Sequence, residues 1–269
     1  MSAHAGHRLS YPFAVIEPDW EGVPRHVRAF CSTRSGGVSL PPYGDDGGGN
    51  GSGSPGGLNL GDHVGDDAAA VAANRAIVRN AISSDAEIRW LSQVHGTVIC
   101  DAAAVADGIM ADASGTSRKN IVCAVMTADC LPVLFSDVHG KVVAAAHAGW
   151  RGLAAGILDN TVAHMRASGA GDIVAWLGPA IGPARFEVGA DVVQAFAALP
   201  DTASCFSPRM DAPGKYYADI YALARQVLAR ADVQKVFGGT HCTVIEKERF
   251  YSYRRDGVTG RMASFIWLE

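Results

Sequence analysis

Four short apolar runs constrain this chain most: IVCAVM at 121–126, LPVLF at 131–135, VVAAA at 142–146 and IVAWL at 173–177. Each is bounded by turn formers and is far shorter than a helix that could stand alone, so each reads as a strand buried on both faces. The second and third runs are separated by SDVHGK, which predicts an antiparallel hairpin with a longer turn. A symmetric hairpin about that turn pairs Leu131 with Ala146 and Phe135 with Val142, and sets Cys130 opposite His147. Directly opposed residues hold their Cβ atoms about 4.5–5.5 Å apart, whereas a slip of one residue sends them to opposite faces.

The flanking segments mix helices with further strands. Asp66 and Asp67 stand where a helix N-cap belongs, ahead of AAAVAANRAIVRNAI, and Val71, Asn74, Val78 and Ile82 share one face of that helix. Helical spacing continues from Gly149 to about Met165, and helices are expected at about 189–199 and 217–231. Strands are expected at 26–33, 88–95, 241–245, 249–254 and 261–268, the last two joined around Asp256-Gly257, while 101–120 is small and polar. Helices interleaved with antiparallel hairpins predict the α/β (α+β) class. The expected form is a single domain over 1–269, with mixed β-sheets and flanking helices rather than a doubly wound parallel sheet. Residues 41–57, PPYGDDGGGNGSGSPGG, are nearly all turn formers and read as a flexible surface loop.

A chain of 269 residues buries roughly three quarters of its unfolded surface and needs no disulfide staples. None of the six cysteines forms a CxxC pair, so free thiols are expected. The net charge of −4 leaves no basic footprint, which argues against nucleic acid as a partner. No run approaches the ~20 apolar residues that cross a bilayer, so no membrane partner is expected. The opening MSAHAGHRLSYPF has no apolar core of signal-peptide length, and the expected location is cytoplasmic.

His95, Cys130 and His147 each stand at a strand end beside a turn, where side chains project from a rigid scaffold. Two imidazoles and a thiolate suit zinc, with a fourth position open to water or substrate. The same residues allow a metal-free reading, with Cys130 as nucleophile and His147 as its base. Asp129 points to the opposite face if strand geometry persists, and joins the group only if a turn intervenes. Cys242 is the candidate fourth ligand should the ion be structural. Arginines beside glycines recur at Arg34-Ser35-Gly36-Gly37, Gly149-Trp150-Arg151-Gly152 and Tyr251-Ser252-Tyr253-Arg254-Arg255-Asp256-Gly257. Arg34, Arg254 and Arg255 are candidate anion holders, since guanidinium pairs with phosphate in bidentate fashion. His63, in GDHVGDD, is a candidate for ribose contact or proton transfer.

The stretches STRSGGVS (32–39), LNLGDHVGDD (58–67), WLSQVHG (90–96), TADCLPVLF (127–135), AAHAGWRGL (145–153), WLGPAIGP (176–183), FEVG (186–189) and FYSYRRDGVTGRMASFIWL (250–268) carry a resemblance. Together they resemble the YfiH-like, laccase-domain family, whose members have been called polyphenol oxidases, purine nucleoside phosphorylases and peptidoglycan editing factors. The resemblance runs in order over about 30–268. It implies a monomeric α/β sandwich with zinc held by His95, Cys130 and His147. It also implies phosphorolysis of adenosine, inosine, guanosine and methylthioadenosine, with adenosine deaminase activity alongside. The partners implied are therefore a small purine nucleoside and phosphate, and the enzyme is a transferase with a hydrolase side activity. Two other enzymatic readings remain: a copper polyphenol oxidase, and a Cys–His amide hydrolase acting on peptidoglycan precursors. The loop at 44–57 is longer than the family pattern.

Overall fold

The strand Ile121–Thr127 shows how the sequence builds the fold. Its side chains alternate faces, as any strand's must. Val122, Ala124 and Met126 enter one apolar layer, with Phe30, Phe265 and the helix residues Val78 and Ile82. Cys123 and Val125 enter another, with Leu134, Val143, Ala145 and Trp176. A strand covered on both faces has no solvent side, which is why it reads as a continuous apolar run. The computed structural model describes residues 11–44 and 56–269.

Two mixed sheets result. The first runs Val15–Ile16, Val27–Ser32, Met262–Leu268, Ile121–Thr127, Glu87–Arg89, antiparallel except for its last pair. The second runs Lys235–Gly238, Ile173–Leu177, Leu131–Asp137, Val143–Ala148, Ala113–Thr116, Ile99–Asp101, antiparallel in the middle and parallel at both margins. They stack on the Cys123, Leu134 and Ala145 layer. The helix Ala68–Ile82 covers the outer face of the first sheet. The helices Ile157–Ala167 and Ile220–Arg230 cover the outer face of the second, through Leu158, Val162, Leu223 and Val227. The α/β sandwich with flanking helices is therefore the architecture observed. All six cysteines are free thiols, and among the described residues no helix is long and apolar enough to cross a membrane.

The helix Ala68–Ile82 follows its sequence signals closely. Asp67 caps it, accepting from the Ala69 amide, and its buried residues are Val71, Asn74, Val78 and Ile82. Buried Asn74 is satisfied: its amide donates to Ser39 Oγ and to the Gly57 and Asn59 carbonyls, and its oxygen accepts from the Val38 amide. Those bonds tie the ends of the Gly-rich segment to the helix. Residues 45–55, most of the loop expected to be flexible, lie outside the described residues.

Four expectations need correction. The hairpin register is displaced by two residues, with Leu131 opposite Ala148, Pro132 opposite His147 and Phe135 opposite Ala144. The turn is tighter than symmetry about the apolar runs suggests, because Asp137 accepts from the Gly140 and Lys141 amides. An even displacement keeps every side chain on its face. The segment 88–95 divides into Glu87–Arg89 and Leu91–Ser92, which belong to different sheets. The single helix expected from Gly149 is two, Trp150–Ala155 and Ile157–Ala167, divided at Gly156, whose φ of 101° caps the first.

The strands expected at 241–245 and 249–254 do not form, despite β-favouring residues. Glu246 folds that segment on itself, accepting from the Cys242 amide, the His241 ring and the Arg249 guanidinium. Ser252 then caps a one-turn helix, Tyr253–Asp256. Such local side-chain bonds compete directly with a sheet ladder. Conversely, the small, polar stretch at 101–120 contains the strands Ile109–Met110 and Ala113–Thr116. The second is buried throughout but carries no apolar period to announce it.

Candidate functional site

Two turns and a strand deliver three donor side chains to one point. His95 sits in the turn after Leu91–Ser92, with a φ of 60°, a left-handed backbone unusual for a residue bearing a side chain. Cys130 precedes the strand Leu131–Asp137, and His147 lies in Val143–Ala148. The ligand atoms of all three lie within 4.8 Å of one another, and the two imidazole rings are 4.7 Å apart. His147 is buried and His95 exposed, so the group forms a wall between interior and solvent. Beneath it, Gly149 leaves space that no other residue could: a Cβ there would meet His95 Nδ1 at 2.7 Å and Cys130 Sγ at 3.2 Å.

Asp112, fully buried, holds this arrangement from behind. One carboxylate oxygen accepts from His147 Nδ1 at 2.8 Å and from the His95 amide at 2.9 Å. The other accepts from the Gly96 amide at 2.6 Å and the Val94 amide at 3.3 Å. Burial by itself would raise the Asp112 pKa, but hydrogen bonds from His147, Gly96 and Val94 outweigh it and hold the carboxyl below its ordinary value. An ionised carboxylate only accepts, so His147 carries its proton on Nδ1 and leaves Nε2 to face the other donors.

The cysteines divide sharply by environment. Burial pushes the Cys31 and Cys123 thiols up to about 12. Burial opposes ionisation of Cys130 too, but hydrogen bonding with His147 and then His95 overcomes it and brings the thiol down to about 6. His147 moves the opposite way: burial lowers its pKa, while bonds to Asp112 and Cys130 raise it to about 9. A thiolate beside an imidazolium is the result at neutral pH, the condition of a reactive or metal-binding cysteine. Two imidazoles and a thiolate with donor atoms this close fit a metal ion. So does a ring Nδ1–H handed to a carboxylate, the usual support of a ligating histidine.

Two chambers open on this wall. The larger, about 920 Å³, is lined by His63, Trp90, Gln93, Asp107 and Arg261, together with all three donors. The smaller, about 330 Å³, is lined by Trp150, Arg151, Ile181, Phe186 and Arg254, together with His95 and Cys130. Tyr253 borders both. Of the residues singled out in the sequence, His63 and Arg254 therefore reach a chamber. Arg34 and Arg255 line neither: Arg34 donates to the Lys247 carbonyl and lies over the Tyr251 ring, and Arg255 donates to the Thr243 and Phe250 carbonyls.

Asp129 does sit in a turn, with a φ of 95°. Its carboxylate faces away from His147, accepting from the Thr243 hydroxyl and the Arg254 amide, each at 2.6 Å. Cys242 also stays apart, its sulfur accepting from the Gly182 amide at 3.3 Å. Sequence reasoning placed Arg261 just beyond the arginine-rich 251–257 motif, and it lines the larger chamber; it missed Asp112 and Gln93. Asp112 had one signal, a lone charge between Ala111 and Ala113 in a run of small residues.

A family described as multi-copper polyphenol oxidoreductase laccase matches residues 28–269. The chain belongs to that family. Among relatives in this laccase family, the Escherichia coli purine nucleoside phosphorylase YfiH is 50% identical over 256 residues, covering 94% of this chain and 98% of that protein. A Haemophilus influenzae purine nucleoside phosphorylase is 46% identical over 255 residues, covering 94% and 99%. A solved Neisseria meningitidis structure superposes with a TM-score of 0.85 at 48% identity, covering 95% of this chain and 99% of that one. The laccase-family fold and the YfiH resemblance read from the motifs thus agree.

Proposed function

We propose that this chain is a zinc-dependent purine nucleoside phosphorylase, cleaving adenosine, inosine, guanosine or methylthioadenosine, with adenosine deamination as a side activity. The observation that carries this reading is the position of His95 and Cys130 on the partition shared by both chambers. Phosphorolysis forms a bond from a phosphate oxygen to the ribose C1′ and breaks the bond from C1′ to the base nitrogen, and the base leaves with a proton. Attack and departure occur on opposite faces of the sugar. Two chambers meeting at one wall suit this, with base and ribose in the larger and phosphate in the smaller. The names of the relatives favour the same small-molecule substrates.

In the smaller chamber, Arg151 and Arg254 are the anion holders; Arg151 lies over the Trp150 ring and Arg254 donates to the Glu187 carbonyl. Arg34 and Arg255 act indirectly, by fixing the segment that carries Tyr253 and Arg254. His63, half exposed and 3.5 Å from Asp62, stands in the larger chamber as the ribose or proton-transfer residue. Zinc held by His95, Cys130 and His147 would supply Lewis acidity and an acidified water when bound. A multicopper centre would require many more imidazoles than this group offers. Residues 1–269 would act as one catalytic unit, monomeric and cytoplasmic.

Purified protein incubated with inosine and phosphate should release hypoxanthine and ribose 1-phosphate in equal amounts. No release from any purine nucleoside at high enzyme concentration removes the reading. The Asp112, His147 and Cys130 series also favours a second reading, in which Cys130 attacks an amide and His147 relays its proton. That reading predicts amide hydrolysis that survives chelation and is lost in Cys130→Ser.

A further inference from the structure

We propose that Asp112 is the positioning residue of the site, fixing at once which nitrogen His147 presents and where the His95 turn stands. This rests on the three donors being the working centre, and not on the substrate being a purine. The geometry is unusually concentrated. One buried carboxylate accepts four N–H groups, from His147 Nδ1 and from the amides of Val94, His95 and Gly96. The Asp112 carbonyl accepts from the His147 amide at 2.7 Å as well, so ring and backbone of that histidine are held by the same residue.

Each bond has a separate consequence. The His147 bond fixes the ring's rotation and keeps Nδ1 protonated, which directs Nε2 at Cys130 and the open wall. The three amide bonds pull the 94–96 turn around the carboxylate and satisfy donors that the left-handed His95 leaves out of any ladder. His95 follows Leu91–Ser92 and His147 lies in Val143–Ala148, strands of different sheets, so their side chains meet only where the turn after Leu91–Ser92 folds over the Asp112 carboxylate. Asp112 bonds to both from behind, through the ring and amide of His147 and the amide of His95. Asparagine cannot replace it, because one side of the amide donates and would meet the Gly96 or Val94 N–H head-on.

The test uses the full chain and zinc alone, with no nucleoside. Zinc affinity is measured by competition with a chromogenic chelator in wild type, Asp112→Asn and Asn74→Ala. The last removes another buried polar tie outside both chambers. Asp112→Asn should bind zinc about 10–100-fold more weakly, the usual loss on removing the partner of a ligating histidine, while Asn74→Ala stays within twofold at a comparable fall in melting temperature. A loss under tenfold in Asp112→Asn, or an equal loss in Asn74→Ala, overturns the proposal. A wild-type measurement covers the case in which Asp112→Asn does not fold or the site takes no zinc. The His147 Nδ1 proton should appear in long-range ¹H–¹⁵N spectra as a slowly exchanging downfield resonance, with or without zinc. Its absence in both states overturns the assignment. Failure to cleave nucleosides would leave all these readouts intact.

Discussion

Two buried aspartates lie on either side of the site, and their neighbourhoods work differently. Asp112 stands behind the three donors and touches His147 directly. Asp129 is next to Cys130 in sequence but bonds to Thr243 and Arg254, on the far wall of the smaller chamber. One carboxylate ties together the two histidines of the donor group, and the other fastens the loop that carries Arg254. The turn that would have brought Asp129 to the donors does form, yet its carboxylate bonds elsewhere. A residue at a strand end reaches what its φ and ψ allow, and the left-handed turn at Asp129 aims it across the chamber.

The comparison breaks most visibly if the donors themselves prove dispensable. Cys130→Ser is predicted to lower phosphorolysis on the order of 10³-fold or more and to abolish stoichiometric zinc, measured by metal analysis. The expectation follows from the shared thiolate contacts to both histidines. Near wild-type turnover in this variant would move the chemistry to another part of the cleft.

Next in size is the acidity of Cys130 in metal-free protein. Thiolate absorbance near 240 nm should rise with a midpoint at about pH 6, well below that of Cys31 or Cys123, which burial pushes to about 12. The stability consequence has two opposing parts. Depression of the Cys130 pKa contributes stability that is complete above the unfolded value and lost as pH falls through about 6. Elevation of the His147 pKa contributes stability present below its unfolded value and lost as pH rises through about 9. Between these limits the folded pair and the unfolded pair each hold one proton, on imidazole when folded and on the thiol when unfolded. The pair therefore adds almost no slope to stability there, and absorbance is the readout. At lower pH, protonation of Asp112 removes its contribution as well. A thiol titrating near 9 would show that the His147 and His95 contacts are absent in solution.

Gly149→Ala sharpens the geometric side. The backbone at Gly149 has a φ of −59°, which alanine accepts, so the whole effect is steric. The added methyl meets His95 and Cys130 inside normal contact distance. Overpacking of this kind costs about 1–3 kcal/mol, and zinc affinity should fall on the order of tenfold as the donors are pushed apart. Unchanged affinity in the chelator assay would mean that His95 is free to swing aside.

The fold was largely readable because its core strands are buried on both faces and its first helix carries both a cap and a face. The same economy hid Ala113–Thr116, where small side chains do the packing and leave no period. Cys130 and His147 were brought together through a hairpin register displaced by two residues, and the argument survived because parity, not position, decides the face. Asp112 was out of reach, since 94–96 and 147 are brought to it by the ladder of Ile99–Asp101, Ala113–Thr116 and Val143–Ala148, whose middle strand carries no apolar period. The arginines misled for a related reason. Arg254 and Arg255 are neighbours, yet the one-turn helix capped by Ser252 sends one to the chamber and the other to its own loop.

Asp129→Asn carries the smallest effect and separates the two aspartates most cleanly. Asparagine loses the charge and keeps one acceptor; with its oxygen on the Arg254 amide, its NH2 donates to Thr243 Oγ1 and leaves that hydroxyl's buried proton without the acceptor it has now. The cost should be about 1–3 kcal/mol, read as a lowered melting temperature. Zinc affinity should stay within about twofold, because sites that share no partner act nearly independently. The Michaelis constant for phosphate should rise several-fold with kcat little changed, because the variant loosens the backbone behind Arg254 and leaves the donors alone. A fall in zinc affinity matching that of Asp112→Asn would instead make the two walls one mechanical unit, with Asp129 transmitting strain through Cys130 at the neighbouring position.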